Sequence, residues 1–336
     1  MSILWAANEP EGFFASSAIT SAFTTSSDRD PDFARAGFDL TNSTPTRINS
    51  TVFGDIPEAW FHYRWGASNI GGESQARTIV EFRNSSGQGV LRLQQIASTS
   101  PNKNLEYWNG SAWTAINGSP LSIATSLSPT FDIQCKVDGV DGRFALYVNG
   151  ALEAELTGDT DFFSGSAIDS VFLGNWGNTN GRRASEAIIS TTNTLSMRLA
   201  TVVATGNGAN TAWTGDYTAI DEVTISDSDL ITSGTNDQIE TFTFGDLSAT
   251  AQLLAPVAVI NSMRARNAAS GPQNIQSAVR ISSTDYFSSD LSGITTSFQN
   301  GFQVVYELNP ATSAAWTVSE VNALEMGVRS RALQLT

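Results

Sequence analysis

Short runs of alternating apolar and polar residues dominate the first half of the chain. A period of two residues is typical of a β-strand with one buried face, and no helical periodicity interrupts the series. Asn-Gly pairs at 109–110 and 149–150 stand between such runs and predict β-hairpins. The pattern therefore predicts a β-sandwich. Its strands are predicted in AWFHYRWG (59–66), ARTIVEFRN (76–84), GVLRLQQI (89–96), LEYWNG (105–110), FDIQCKV (131–137), FALYVNG (144–150), ALEAEL (151–156) and SVFLGN (170–175).

The second half carries a looser series of the same kind and ends with one helical pattern. Within AWTVSEVNALEMG, the positions of Trp316, Val318, Val321 and Leu324 predict a short amphipathic helix near 316–326. We therefore predict an all-β chain, with an N-terminal β-sandwich over 1–198 and a smaller C-terminal β-sandwich domain over 199–336. The C-terminal strands are predicted in DQIETFTFGDL (237–247), VAVINSMRARNA (257–268), NIQSAVRIS (274–282) and GFQVVYELN (301–309).

Between the two series lies a stretch rich in Gly, Asn, Thr and Ala, residues 204–222. Its glycines follow neither the dinucleotide-binding spacing nor a phosphate-loop motif with its lysine. Trp213 and Tyr217 are large side chains that a free linker would not need. We therefore predict an ordered crossover in which Trp213 and Tyr217 form an interdomain joint.

Composition and charge narrow the classes of function. The formal net charge is −15, and the only lysines are Lys103 and Lys136. Affinity for nucleic acid comes largely from Lys and Arg contacts to phosphate, so we expect no nucleic-acid partner. No window reaches the ~18 apolar residues of a membrane span, and the first residues lack a basic leader. We expect a protein that is made in the cytoplasm, is soluble and does not insert into membranes.

Residues able to carry chemistry are few. The one histidine, His62, and the one cysteine, Cys135, each lie in a predicted strand, where we interpret both as structural residues. A zinc site needs several His or Cys ligands, and no G-x-S-x-G elbow is present, so we predict no enzyme and no cofactor. Asp28, Asp30 and Asp32 imitate the start of a calcium loop, which leaves a loop-bound calcium ion open beside a solvated acidic loop.

Aromatic residues beside turns suggest a binding surface. Tyr107, Trp108 and Trp113 surround the Asn-Gly pair at 109–110, and Trp176 lies in a Gly- and Asn-rich loop. Aromatic faces next to polar side chains suit sugar rings, which makes these four residues candidates for carbohydrate binding. The alternative is that the rings pack as cross-strand pairs or bury a subunit contact.

Two resemblances to known families add to this interpretation. FDIQCKVDGVDGRFALYVNGALEAEL, followed by IDSVFLGN, resembles the laminin-G-like, concanavalin-A-like lectin and glucanase sandwich over about residues 76–190. This resemblance implies that the N-terminal unit is a concanavalin-A-like jelly-roll sandwich. MRLATVVATGNGANTAWTGDYTAIDE, then TFTFGDLSA, VAVINSMRARNA and NPATSAAWTVSEVNALEMGVRS, resemble the C-terminal half of certain tailed-bacteriophage virion proteins over about 195–331. The second resemblance implies a structural component of the particle, associated with the tail or its fibres, and supplies no active-site residue.

The first hypothesis is thus a non-enzymatic virion protein, displayed on the particle exterior, that contacts other virion proteins and a host cell-surface glycan. A capsid-decorating protein or head fibre is the alternative of the same class. A surface-glycan depolymerase and an unattached lectin are the alternatives of other classes. Because the chain carries few charges and many Thr, Ser and Ala residues, we also expect a homo-oligomer, a trimer by analogy with fibres.

Overall fold

The chain folds into two units that are built almost wholly of antiparallel β-structure. The computed structural model describes residues 2–8, 14–15, 23–24, 29–35, 37–39, 48–50, 52–67, 76–96, 102–123, 128–162, 167–174, 182–222 and 226–333. The first unit ends at Leu199 and the second begins at Ala200. The predicted fold class, all-β with two sandwich units, is confirmed.

The first unit contains two eight-stranded sheets. The strands of this unit are β1 (Ile3–Ala7), β2 (Phe14–Ala15), β3 (Phe23–Thr24), β4 (Gly37–Asp39), β5 (Ile48–Asn49), β6 (Glu58–Ala67), β7 (Arg77–Arg83), β8 (Gly89–Gln95), β9 (Asn102–Trp108), β10 (Trp113–Ala115), β11 (Leu121–Ser122), β12 (Thr130–Lys136), β13 (Gly142–Val148), β14 (Ala151–Gly158), β15 (Ser170–Leu173) and β16 (Arg182–Ser190). The first sheet runs in the order β14-β13-β12-β6-β16-β4-β3, with β1 also paired to β16. The second sheet runs in the order β10-β9-β8-β7-β15-β5-β2, with β11 also paired to β9.

The core of this unit lies between the two sheets. Along β6, Phe61, Tyr63 and Trp65 point inward and are at most 2% exposed. The rings of Phe61 in the first sheet and Phe82 in the second lie edge to face, with centroids 6.5 Å apart. Burial of each such side chain stabilises the folded state by roughly 1.5–3 kcal/mol. The alternating aromatic residues of β6 therefore stabilise this core.

The predicted turns and the predicted cysteine environment are also present. Val148 pairs with Ala151 across a two-residue hairpin in which Asn149 has a φ of 50° and Gly150 a φ of 81°. Positive φ at both positions matches the hairpin turn that Asn-Gly favours. Cys135 is fully buried in β12, and this burial raises the pKa of its thiol well above the usual value.

The second unit is a smaller sandwich of a five-stranded and a two-stranded sheet. The elements are β17 (Ala204–Thr211), β18 (Ile239–Phe244), β19 (Val259–Ala265), β20 (Asn274–Ile281), β21 (Thr284–Phe287), β22 (Gln299–Tyr306), α1 (Val318–Ala323) and β23 (Glu325–Arg331). The five-stranded sheet runs β17-β18-β23-β20-β21, and β19 pairs with β22 in the other sheet. Val259 of β19 and Val279 of β20 share a buried cluster with Trp316, which shows that the sheets pack against each other.

A reciprocal cap starts the short helix α1. The Thr317 side chain accepts a hydrogen bond from the Glu320 backbone N–H, and the Glu320 carboxylate accepts one from the Thr317 backbone N–H at 2.8 Å. This capping box satisfies two amide groups that would otherwise lack partners at the helix start. Among the described residues, no helix is long and apolar enough to cross a membrane.

Candidate functional site

The outward face of the second sheet brings together two of the residues predicted to bind carbohydrate. Side chains alternate along β9, so Leu105 and Tyr107 point toward the first sheet, whereas Glu106 and Trp108 point outward. Trp113 of β10 lies directly opposite Trp108. Both indole rings therefore lie on the same outward face.

The two tryptophans form a right-angled pair. Their ring centroids are 5.8 Å apart and their planes are inclined by 73°. The loop that joins β9 to β10 is held by the side chain of Asn109, whose Oδ1 accepts hydrogen bonds from the backbone N–H groups of Ser111 and Ala112 at 3.0 and 2.9 Å. Each tryptophan is half-buried, so part of each ring remains at the surface.

Gly89 of β8 makes room for Trp113. A Cβ at this position would lie 2.8 Å from the Cζ2 atom of Trp113 and 2.9 Å from the carboxyl carbon of Glu81. The backbone of Gly89 is not in the left-handed region, so the constraint is one of space rather than of conformation. The absent side chain thus lets the Trp113 ring lie against the strand.

A row of charged side chains crosses the sheet beside the tryptophans. The register places Arg92 of β8 between Glu81 of β7 and Glu106 of β9. The Arg92 guanidinium donates to Glu106 Oε2, with distances of 2.8 Å from Nε and 2.7 Å from Nη2, and its Cζ lies 4.1 Å from the centroid of the Trp113 ring. Arg83 Nε donates to Glu81 Oε1 at 2.6 Å. We call the outward surface formed by Trp108, Trp113, Glu81, Arg83, Arg92 and Glu106 the tryptophan face.

The charged groups of the tryptophan face are partly enclosed. The side chains of Glu81 and Glu106 are each 13% exposed, and that of Arg92 is 19% exposed. Glutamate and arginine on a fully solvated sheet are usually much more exposed. These side chains are also held by ion pairs and by the Trp113 ring, so the tryptophan face is preorganised.

The structure separates Tyr107 from the tryptophan pair, which corrects its grouping with Trp108 and Trp113. The Tyr107 ring points into the unit, 6.3 Å from Phe144 of the first sheet and 4.9 Å from Phe162. Neighbouring residues of a strand point to opposite faces, so Tyr107 and Trp108 have no common surface. Tyr107 therefore packs in the sandwich. Trp176 lies outside the described residues, and its role stays a prediction.

His62 lies on the outward face of the first sheet and is held by a buried carboxylate. Its Nδ1 is 2.8 Å from Asp132 Oδ1, and Thr194 Oγ1 donates to the same oxygen at 2.7 Å. The His62 and Asp132 side chains are 2% and 1% exposed. These contacts tie β12 to β6 and to the chain after β16, in agreement with a structural interpretation of His62.

Asp30, in the acidic segment considered for calcium, is engaged by two arginines, and the calcium ion stays a prediction. Asp30 Oδ2 accepts a hydrogen bond from Arg198 Nη2 at 2.7 Å and lies 3.7 Å from Arg64 Nη1. Burial by itself raises the pKa of Asp30, but the hydrogen bonds from Arg198 and from the Asp32 backbone, with the nearby guanidinium charges, hold it below the usual value. Over the described ranges, no three metal-ligating side chains are grouped together, and Asp28 lies outside them.

The stretch 204–222 is ordered and belongs to the second unit. Its first part is β17, an edge strand paired to β18. Trp213 Nε1 donates to the Gln238 carbonyl at 3.1 Å, and its ring packs on a cluster that includes Val328. The backbone N–H of Tyr217 donates to Asn207 Oδ1 at 2.9 Å. Both residues thus lie within the second unit, and their role as an interdomain joint stays a prediction.

Comparisons with known proteins give distant structural similarity only. No protein-family model and no curated protein matches the chain. Among solved structures, the chain is similar to the T. cruzi calreticulin globular domain, with a TM-score of 0.40, 9% identity, and coverage of 57% of this chain and 89% of that one. It is also similar to the alginate lyase Aly36B, with a TM-score of 0.40, 11% identity, and coverage of 59% and 98%. For the carbohydrate recognition domain of Emp47p, the corresponding values are 0.39, 10%, 57% and 95%.

Proposed function

We propose that this chain is a non-enzymatic glycan-binding protein and that its ligand lies along the tryptophan face. The observation that carries the proposal is the right-angled pair of Trp108 and Trp113 next to a row of charged side chains on one outward sheet face. The C–H faces of a sugar ring pack on indole rings, and its hydroxyl groups need fixed hydrogen-bonding groups beside them. The tryptophan face offers both within one sheet.

In this proposal the protein binds the glycan and does not cleave it. Both carboxylates of the tryptophan face are engaged by arginines, Glu106 by Arg92 and Glu81 by Arg83. They serve to position the arginines and to accept hydrogen bonds. Calorimetric titration of the purified protein with oligosaccharides of different composition tests binding, and an assay for new reducing ends in the same mixtures tests cleavage. Saturable heat without new reducing ends is the expected result, and release of reducing ends would contradict the non-enzymatic part.

Enlarging Gly89 should weaken this binding. In Gly89→Val the new side chain meets the Trp113 ring, which must tilt away from β8. We expect roughly tenfold weaker glycan binding, equivalent to about 1.4 kcal/mol, and a changed near-ultraviolet circular dichroism of the tryptophans. Gly118→Val is the matched control, because a Cβ at Gly118 meets no atom within 4 Å. Equal affinity of the two variants would contradict the proposed position of the ligand.

We further propose that this protein is a structural component of a bacteriophage virion and is associated with the tail or its fibres. The support is the resemblance of residues 195–331 to virion proteins, together with large apolar side chains that the second unit exposes. Leu253 is 83% exposed, Leu308 53% and Val257 45%. A second copy of this chain is the partner proposed to pack against these side chains. Several copies in one oligomer would raise the avidity of a weak single site.

Light scattering tests the oligomer directly. We expect the mass of a homo-oligomer, threefold that of the chain by analogy with fibres, and a lower mass for Leu253→Asp combined with Leu308→Asp. Val140→Asp is the control, because Val140 is an equally exposed apolar residue, at 77%, in a turn of the first unit. A monomer at high protein concentration would contradict the oligomer. Labelled antibody on the particle would distinguish the tail from the capsid-decorating alternative.

A further inference from the structure

We infer that the tryptophan face selects glycans without charged groups over glycans that carry carboxylates or sulfates. This inference rests on the proposed glycan-binding function and names the class of ligand. It follows from the way in which the charged side chains of the tryptophan face are already paired.

Both arginines at this surface are occupied by carboxylates of the same sheet. Arg92 directs two of its nitrogens to Glu106 Oε2 and covers the Trp113 ring. Arg83 donates to Glu81 and lies over the Phe172 ring, 4.5 Å from its centroid. An acidic sugar would bring a second anionic group beside the glutamate that each of these arginines already holds, and like charges at close range in a partly enclosed place repel each other.

The two lysines supply no alternative cation. Lys103 is fully buried with its Nζ 3.5 Å from the Ile123 carbonyl, and Lys136 lies on the first sheet. The formal charge of the whole chain, −15, repels a polyanion before it reaches the surface. The local ion pairs and the overall negative charge therefore both disfavour binding of an acidic glycan.

The groups that the tryptophan face offers suit hydroxyl groups. Asn104 lies on the same side of β9 as Glu106 and Trp108, and its Nδ2 is 3.3 Å from Glu106 Oε1. Carboxylate oxygens keep further lone pairs after pairing with arginine, and a sugar O–H donates to such oxygens without bringing a charge.

Each glutamate of the tryptophan face is paired with an arginine, which also disfavours a cationic glycan. Glu81 and Glu106 carry as many charges as Arg83 and Arg92, so the tryptophan face has no formal net charge. An aminated sugar would compete with an arginine for its glutamate just as a uronate would compete with a glutamate for its arginine. The class of ligand that leaves all four groups paired is uncharged.

A titration panel tests the selectivity. The intact protein is titrated by calorimetry, in buffer of physiological salt, with hexasaccharides of glucose, mannose and galactose and with the uronate, sulfated and amino-sugar counterparts of matching linkage. We expect saturable binding of an uncharged member, at least tenfold tighter than that of its charged counterparts. A uronate or sulfated member that binds as tightly as its uncharged counterpart would overturn the inference but leave glycan binding standing. Failure of every member to bind would overturn the proposed function and this inference with it.

A single substitution tests the physical cause. Glu106→Gln keeps an oxygen beside Arg92 but removes the negative charge, so the guanidinium becomes able to pair with a uronate carboxylate. We expect the affinity ratio of the uncharged to the uronate hexasaccharide to fall at least fivefold in this variant. Glu153→Gln changes the net charge equally at an exposed position of β14 and should leave the ratio unchanged. Equal ratios in both variants would overturn the assignment of selectivity to the Arg92–Glu106 pair.

Discussion

Replacing Trp108 and Trp113 together by alanine should weaken glycan binding at least thirtyfold. The two rings supply the apolar surface of the tryptophan face, and removal of a central tryptophan from a binding surface typically costs about 2 kcal/mol or more, which corresponds to roughly a thirtyfold change in Kd. Loss of Trp113 also removes the ring on which the Arg92 guanidinium rests at 4.1 Å. Calorimetric titration with the tightest uncharged oligosaccharide measures the change.

The double variant needs a control for the general loss of an aromatic side chain. Tyr286→Ala removes a half-buried aromatic ring from β21 in the second unit and should leave the Kd as it is. The thermal unfolding of all variants shows whether the fold is retained. If the double variant is folded and binds as tightly as the wild type, the tryptophan face is not the site.

Arg198→Met should destabilise the first unit by about 3 kcal/mol. Glu186 is fully buried, and Arg198 donates to both of its carboxylate oxygens at 2.5 and 2.9 Å. Removal of one member of a buried ion pair costs about 3–5 kcal/mol, because the other charge stays buried without its partner. Arg198 itself is 23% exposed, which places the expectation at the lower end of that range. Urea unfolding followed by circular dichroism measures the loss.

Two further variants separate the buried charge from other effects of losing an arginine. Adding Glu186→Gln to Arg198→Met removes the unpaired charge and should restore part of the stability. Arg329→Met breaks an ion pair with Asp237, whose side chain is 54% exposed, and should cost far less because water replaces the lost partner. Equal destabilisation by Arg198→Met and Arg329→Met would contradict this account of the buried pair.

The strands that could be predicted from the sequence are those with one clearly apolar face. The alternation of apolar and polar residues predicts β6 and β12, because their inward residues are large and their positions follow a strict period of two. β16 was missed, since a bulge between Ser185 and Ile188 breaks its period and Glu186 adopts a φ of 56°. β17 was missed as a strand because it contains no large apolar residue. Its place in the sheet comes from pairing with β18, which no local pattern reveals.

The two tryptophans of the candidate site could be predicted from the sequence, but its charged row could not. Trp108 and Trp113 were recognised because an Asn-Gly turn brings aromatic residues of two strands together. Alternation along β9 could have separated Tyr107 from them, since adjacent residues point to opposite faces. The row of Glu81, Arg92 and Glu106 depends on the register of three strands, and that register is fixed by packing across the whole sheet rather than by neighbours in sequence.

Nuclear magnetic resonance of the tryptophan indole N–H groups shows whether a glycan binds along the tryptophan face. The chain has 8 tryptophans, each of which gives one indole signal that can be assigned by substitution. On addition of the tightest uncharged oligosaccharide, we expect the signals of Trp108 and Trp113 to shift with saturation and those of Trp5, Trp60, Trp65 and Trp316 to stay in place. Shifts confined to other tryptophans, with Trp108 and Trp113 unmoved at saturation, would contradict it.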